Sequence, residues 1–216
     1  TYATGMAVVE AARDAVQELR RRAALTWELP LEQVAWQQGR AVDLTAANDP
    51  LPLAELTANA GQTGGPIAGS AELNAQGVGP GFGVHLCDVE VDQETGATKI
   101  LRYLAVQDVG KAIHPSYVEG QLQGGAVQGI GLALNEEYLY TAEGVLDNPG
   151  FLDYRIPVCP DLPFIDTPIL EIPNPNHPYG VRGVGETSIV PPLAAIANAI
   201  SNAVGVRMDH TPMSPP

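Results

Sequence analysis

From His85 to Val106 the chain alternates in a way that leaves few folding options. His85, Cys87, Val89 and Val91 interleave with Leu86, Asp88 and Glu90, a period of two. Asp92-Gln93-Glu94-Thr95-Gly96 supplies a short turn with a glycine for its left-handed position, and Ile100, Leu101, Tyr103, Leu104 and Val106 return. This predicts an antiparallel hairpin over 84–106, so the chain must build a sheet and cover it. Helices are predicted at 4–24, at 115–132 behind Pro115, and from Pro191-Pro192 with Leu193, Ile196, Ala197, Ile200 and Val204 on one face. Arg20 to Arg22 are placed in the last turn of the first helix, where cations suit the dipole. Shorter pieces are a strand at 33–44, a helical turn near Leu51 to Ala58 and a strand around Ile67 to Leu73 in a glycine-rich link running from Gly61 through Gly77 to Gly83. Residues 150–170 read as extended and broken by proline. The fold class is α+β, with mixed or antiparallel sheets packed with helices, in two segments, 1–79 and 80–216.

Charge narrows the function. Eleven lysines and arginines face 25 aspartates and glutamates in 216 residues, a formal net charge of −14. That balance excludes a nucleic-acid binder, because phosphate neutralisation needs clustered cations. No apolar run is expected to reach the roughly 18 residues of a membrane span, and no secretory signal opens the chain, which points to the cytoplasm with the periplasm left open. Thr1-Tyr2-Ala3-Thr4-Gly5 enters a helix with no leader, as a piece of a larger protein would. Cys87 and Cys159 read as core thiols, being too few for a disulfide framework. His85 reads as a sheet residue and His114, His177 and His210 as loop residues, none at metal-ligand spacing.

Two segments carry the candidate chemistry. Gly120-Gln121-Leu122-Gln123-Gly124-Gly125-Ala126-Val127-Gln128-Gly129-Ile130-Gly131 sets five glycines in a helix, each costing about 1 kcal/mol against alanine. Gln121 and Gln128, seven apart, share a face with Gly124 and Gly125 between them. Such a face offers two amides and bare backbone to a polar ligand; close packing of small residues explains the same pattern equally well. The spacing is not a dinucleotide fingerprint, since no strand feeds it. The second segment is Tyr179-Gly180-Val181-Arg182-Gly183-Val184-Gly185-Glu186-Thr187-Ser188. Glycines let backbone approach a ligand. Buried beside apolar groups, Glu186 would hold its proton more tightly and serve as a general base; otherwise it favours the following helix N-terminus electrostatically.

Taken together, Gln107-Asp108-Val109-Gly110, Ile113-His114-Pro115, Val118-Glu119-Gly120-Gln121, the segment from Gly124 to Gly131 and Gly183-Val184-Gly185-Glu186 resemble the molybdenum hydroxylases, the family of xanthine dehydrogenase, aldehyde oxidase and aerobic carbon monoxide dehydrogenase. The likeness is to the C-terminal part of the molybdopterin-binding large subunit and is best from about residue 80 onward. It implies an oxidoreductase component that hydroxylates aldehydes, N-heterocycles or related substrates with water-derived oxygen. In that reading Glu186 is the base on a molybdenum-bound hydroxide. Gln121, Gln128, Gly124 and Gly125 contact the pterin cofactor, in its cytosine dinucleotide form, and Gly185 and Thr187 shape the pocket. None of these residues is implied as a metal ligand. The resemblance also implies partners: the remaining molybdopterin-subunit segments, a [2Fe-2S] subunit or domain and an FAD subunit or domain. The family's upstream cofactor segments, its iron–sulfur cysteines and its flavin domain have no counterpart in this sequence. The other reading is a non-catalytic scaffold within such an assembly. A free-standing nucleotide-binding domain is disfavoured.

Overall fold

The computed structural model describes residues 2–74 and 79–215, so Thr1 and Gly77 lie outside it. The architecture is α+β and divides into two compact units, Thr1–Gln76 and Gly77–Pro216.

The first unit opens with helix α1, Tyr2–Trp27. The expected strand at 33–44 is two strands, β1 (Val34–Gln37) and β2 (Arg40–Asp43), paired antiparallel. Gln38 and Gly39, at φ 50° and 77°, make the two-residue hairpin turn that divides them. β3 (Leu51–Pro52) pairs with β2, followed by the short helices α2 (Leu53–Ala58) and α3 (Ala60–Thr63). Leu19, Ala23 and Ala24 of α1 pack with Val34, Ala41, Leu51 and Leu56. Because α1 runs on to Trp27, Arg20–Arg22 fall short of its last turn. They serve packing instead: Arg20 Nε donates to Val34 O (2.7 Å), and buried Arg22 pairs with Glu18 at 2.6 Å. The strand expected around Ile67 to Leu73 does not form. That segment is held against α1 by Ile67 in the core and by Ser70 N donating to Asp14 Oδ2 (3.0 Å).

The second unit is built on the hairpin of β4 (Phe82–Val91) and β5 (Thr98–Asp108), with Gly96 at φ 76° in the turn. A bulge at Leu101 shifts the register after Val89–Ile100, which lets Ile100 and Tyr103, three apart, both face inward. Two-residue strands β6 (Ile165–Asp166) and β7 (Ile169–Leu170) run parallel to β5. They are the only strands described in the proline-broken stretch, which also holds the 3-10 turn Cys159–Asp161; Pro163 and Pro168 withhold ladder donors. Helix α4 is Pro115–Leu134 and α5 is Pro191–Val204. Ala126, Ile130 and Ala133 of α4 and Ile196 and Ile200 of α5 close over Ile100, Tyr103, Ala105 and Ile165. The other sheet face keeps Phe82, Val84 and Leu86 more than half exposed, at 59%, 62% and 55%. Thr187–Val204 is long and apolar enough, by length and composition, to cross a membrane, contrary to expectation; Ile196 and Ile200 commit α5 to the sheet. Cys87 is half-buried and burial pushes its thiol up to about 11, whereas Cys159 is exposed on a turn rather than in the core.

Each unit carries its own acid-sensitive group. In the second, His85 is buried, its Nδ1 sharing a 2.9 Å hydrogen bond with the Tyr103 hydroxyl while Nε2 has no partner. Desolvation lowers it from 6.5 to about 4. The unfolded state therefore binds more protons between those values, and stability falls as pH drops through that window, by on the order of 2 kcal/mol. In the first, buried Asp43 accepts from the Thr45 hydroxyl (2.7 Å) and amide (2.8 Å) and from Asn48 Nδ2 (2.9 Å), bonds that hold it at about 2 against an ordinary 3.8. Its contribution is present above that ordinary value and is lost below it, as pH falls toward 2. Urea midpoints measured against pH should fall in these two separate steps, and His85→Gln should remove the upper one.

Candidate active site

The site residues lie in the second unit, where α4 meets the turn before α5. The glycines of α4 divide by face. Gly125 and Gly129 are buried, and a Cβ on either would overlap what it packs against, Ser188 for Gly125 and Pro192 for Gly129. Gly120 and Gly124 have no atom within 4 Å of the position a Cβ would occupy, so bare backbone is open there. Gln121, Gly124 and Gln128 are all exposed. Both readings of this segment hold at once: one face is close packing, the other is amide and naked peptide.

The turn reaches α4 through Ser188. Its buried Oγ donates to Gln121 O at 3.2 Å, inside the 3-10 turn Thr187–Ile189. A Cβ on Gly185 would stand 3.6 Å from Gln121 Nε2, so the Gln121 amide and the Gly185–Glu186 backbone are neighbours. The structure thus brings Gln121, Gly125, Gly185 and Glu186 together, while Gly124, next to Gly125 on α4, has nothing within 4 Å of its Cβ position. Gln128 lies about 10 Å farther along the α4 axis. Thr187 is turned inward: its hydroxyl donates to Gly183 O at 3.2 Å. Glu186 itself is exposed at the tip of the turn, not buried among apolar groups as the sequence allowed, because its flanking residues Gly183 and Gly185 bring no side chains to cover it.

Three residues of the quoted motifs that were not among the expected site residues hold this turn. Arg182 Nε meets Asp108 Oδ2 at 3.0 Å, with side chains only 12% and 7% exposed. Gln107, at the end of β5 and 1% exposed, donates from Nε2 to Gly183 O at 3.3 Å. The available signal was an arginine set among glycines in an acid-rich chain, and a polar Gln-Asp pair ending an apolar strand. Among the described residues no cluster of three or more His, Cys, Asp or Glu is gathered to hold a metal ion. A separate open cleft of about 310 Å³, lined by Tyr138, Phe151 and Tyr154, contains none of the site residues.

Comparison with known proteins places the chain. The molybdopterin cofactor-binding domain family matches residues 1–163, which include α4 and end before Glu186. The gamma subunit of the 6-hydroxypseudooxynicotine dehydrogenase complex of Paenarthrobacter nicotinovorans is 36% identical over 182 residues, 83% of this chain and 22% of that protein. A putative xanthine dehydrogenase molybdenum-binding subunit of Escherichia coli is 38% identical over 155 residues, 71% of this chain and 21% of that protein. The chain therefore spans about a fifth of the length of these relatives. In structure, quinoline 2-oxidoreductase of Pseudomonas putida 86 superposes with a TM-score of 0.75 at 30% identity, over 95% of this chain and 28% of that one. With this match in sequence and fold, the chain belongs to the molybdopterin-binding subunits of the molybdenum hydroxylase family.

Proposed function

We propose that this chain supplies the base and part of the cofactor cradle of a molybdenum-dependent hydroxylase. The observation that carries the proposal is the neighbourhood of the Gln121 amide and the Gly185–Glu186 turn, all exposed, in one unit. The residues fit an organic cofactor rather than a ligated ion. Gln121 and Gln128 each bring an amide that both donates and accepts. Gly120 and Gly124 leave a strip where a Cβ would otherwise stand, so a flat polar group can approach the peptide plane. Bound, the molybdenum cofactor, in the proposed cytosine dinucleotide form, supplies a two-electron redox centre.

The chain's own residues do the rest. The Glu186 carboxylate, at the tip of its turn, takes a proton from the water-derived oxygen that attacks the substrate carbon. Gln121 donates toward the cofactor from beside that turn and so orients it relative to the carboxylate. Thr187 and Gly185 hold the turn's shape, Thr187 by its bond to Gly183 O. Aldehydes and N-heterocycles are the proposed substrates: the names of relatives refer to an aldehyde oxidoreductase, a nicotine 6-hydroxylase and a quinoline oxidoreductase. The remaining molybdopterin-subunit segments, a [2Fe-2S] unit and an FAD unit are the proposed partners, in keeping with relatives named as subunits or large chains of complexes.

Elemental analysis of complexes captured through this chain tests the reading: molybdenum and iron should co-purify with it, with about two irons per molybdenum for every [2Fe-2S] cluster present. Gln121→Ala should lower the molybdenum retained, by about tenfold for one lost hydrogen bond to a charged or strongly polar group. Capture of large partners free of molybdenum would favour the scaffold role.

A further inference from the structure

Glu186 stands in a turn with few bonds of its own. Gly185 precedes it, and the bonds within the turn are long: Thr187 Oγ1 to Gly183 O at 3.2 Å and Ile189 N to Glu186 O at 3.4 Å. Further conformational order comes from the two ends. At the far end Ser188 is anchored to α4 through Gln121 O. At the near end, beside the bonds of Gly183 to Gln107 Nε2 and Gly79 O, most ties converge on Arg182. Its backbone N donates to Val109 O (2.9 Å), its Nε reaches Asp108 Oδ2 (3.0 Å) and Ile172 O (3.3 Å), and one terminal nitrogen donates to Pro80 O (3.2 Å). The guanidinium lies 5.3 Å from the Phe82 ring centroid. Asp108 is held in turn, its Oδ1 accepting from Gly110 N (2.9 Å) and Ile172 N (3.1 Å). The side chain thus ties the start of β4, the end of β5 and the strand-like 170–172 segment to the residue four before Glu186.

We propose that Arg182, seated on Asp108, is a positioning residue that fixes the Glu186 turn against α4. The proposal rests on the reading of Glu186 as the base. A fork of fixed, planar donors suits three acceptors on separate segments, which a lysine's single ammonium cannot span. Buried ion pairs of this kind contribute little net stability when compared with apolar replacements, so specification of the turn is the better account of why one is placed here. Gln107 adds to the same end by gripping Gly183 O.

The test combines amide hydrogen exchange on the 216-residue chain with turnover of the cofactor-loaded assembly, in Arg182→Met, Arg182→Lys and Glu186→Gln. Arg182→Met should speed exchange at the bonded amides that bracket the turn, Gly183, Ile189 and Val190, by about tenfold with the cores of α4 and α5 unchanged. It should lower kcat by about 10²-fold through misplacement of the carboxylate, with KM little changed. Arg182→Lys, which keeps the Asp108 pair alone, should fall between, and it carries the test if the methionine variant fails to fold. Added to Glu186→Gln, Arg182→Met should cost no further turnover. Faster exchange spread over the whole unit, or wild-type exchange with wild-type kcat, would overturn the proposal. Full turnover in Glu186→Gln alone would overturn the base assignment instead, and the exchange pattern would still report whether Arg182 holds the turn.

Discussion

Glu186→Gln is expected to lower turnover of the cofactor-loaded assembly by about 10²- to 10⁴-fold, the range a positioned general base supplies. The substitution keeps volume and hydrogen-bonding reach and removes only the capacity to accept a proton. Because Glu186 is exposed and its side chain makes no recorded hydrogen bond or ion pair, the variant should fold with wild-type stability and should keep its molybdenum. The loss should appear in kcat with KM little changed, as expected when an interaction acts in the transition state alone. Measured kcat, molybdenum content and urea midpoint on the same preparation decide the matter. Wild-type turnover at full molybdenum occupancy would remove Glu186 from the chemistry and leave the chain as scaffold. Lost turnover with lost molybdenum would make Glu186 a cofactor-retention residue instead.

How much of this was legible follows from which forces act locally. The β4–β5 hairpin was readable because alternation and a left-handed turn glycine are both encoded within 25 residues. The bulge at Leu101 was not, since it is set by which of Ile100 and Tyr103 can reach the helices across the sheet. The 33–44 strand was split by Gln38 and Gly39, a turn signal hidden because its first residue is glutamine rather than the Asn, Asp or Gly that readily take a positive φ. Ile67 to Leu73 has one β-branched residue among Ala, Gly, Ser and Glu, a weak strand composition, and Ile67, Gly69 and Ser70 pack or bond against α1 instead. In the site, the motif residues themselves were legible as residues. Their division into a packed face and an open face was not, because it depends on where Ser188 and Pro192 land. The exposure of Glu186 and the Asp108–Arg182 tie, 74 residues apart, likewise belong to tertiary structure alone.

The adjacent glycines Gly124 and Gly125 should respond to substitution with opposite signs. Gly124→Ala places its methyl in open space and gains intrinsic helix propensity, stabilising the unit by up to about 1 kcal/mol. Gly125→Val drives Cβ into the Ser188 hydroxyl, with Ser188 Cβ at 3.0 Å and Ile189 N at 3.2 Å behind it. Rotating the hydroxyl away would break its bond to Gln121 O and still leave the Cβ and the backbone in place. The helix and the Thr187–Ile189 turn must then separate, and a loss of about 1–3 kcal/mol is expected for overpacking, more with the added β-branching. Urea midpoints of the two variants measure this directly, and equal shifts of the same sign would show that α4 does not pack on the turn through Gly125. The functional consequence separates the two faces as well. Gly125→Val displaces Glu186 from Gln121 and should depress turnover even at temperatures where the variant is fully folded. Gly124→Ala leaves the turn alone but puts a methyl on the strip assigned to the cofactor. A more stable chain that retains less molybdenum is therefore the result that this division of the helix requires.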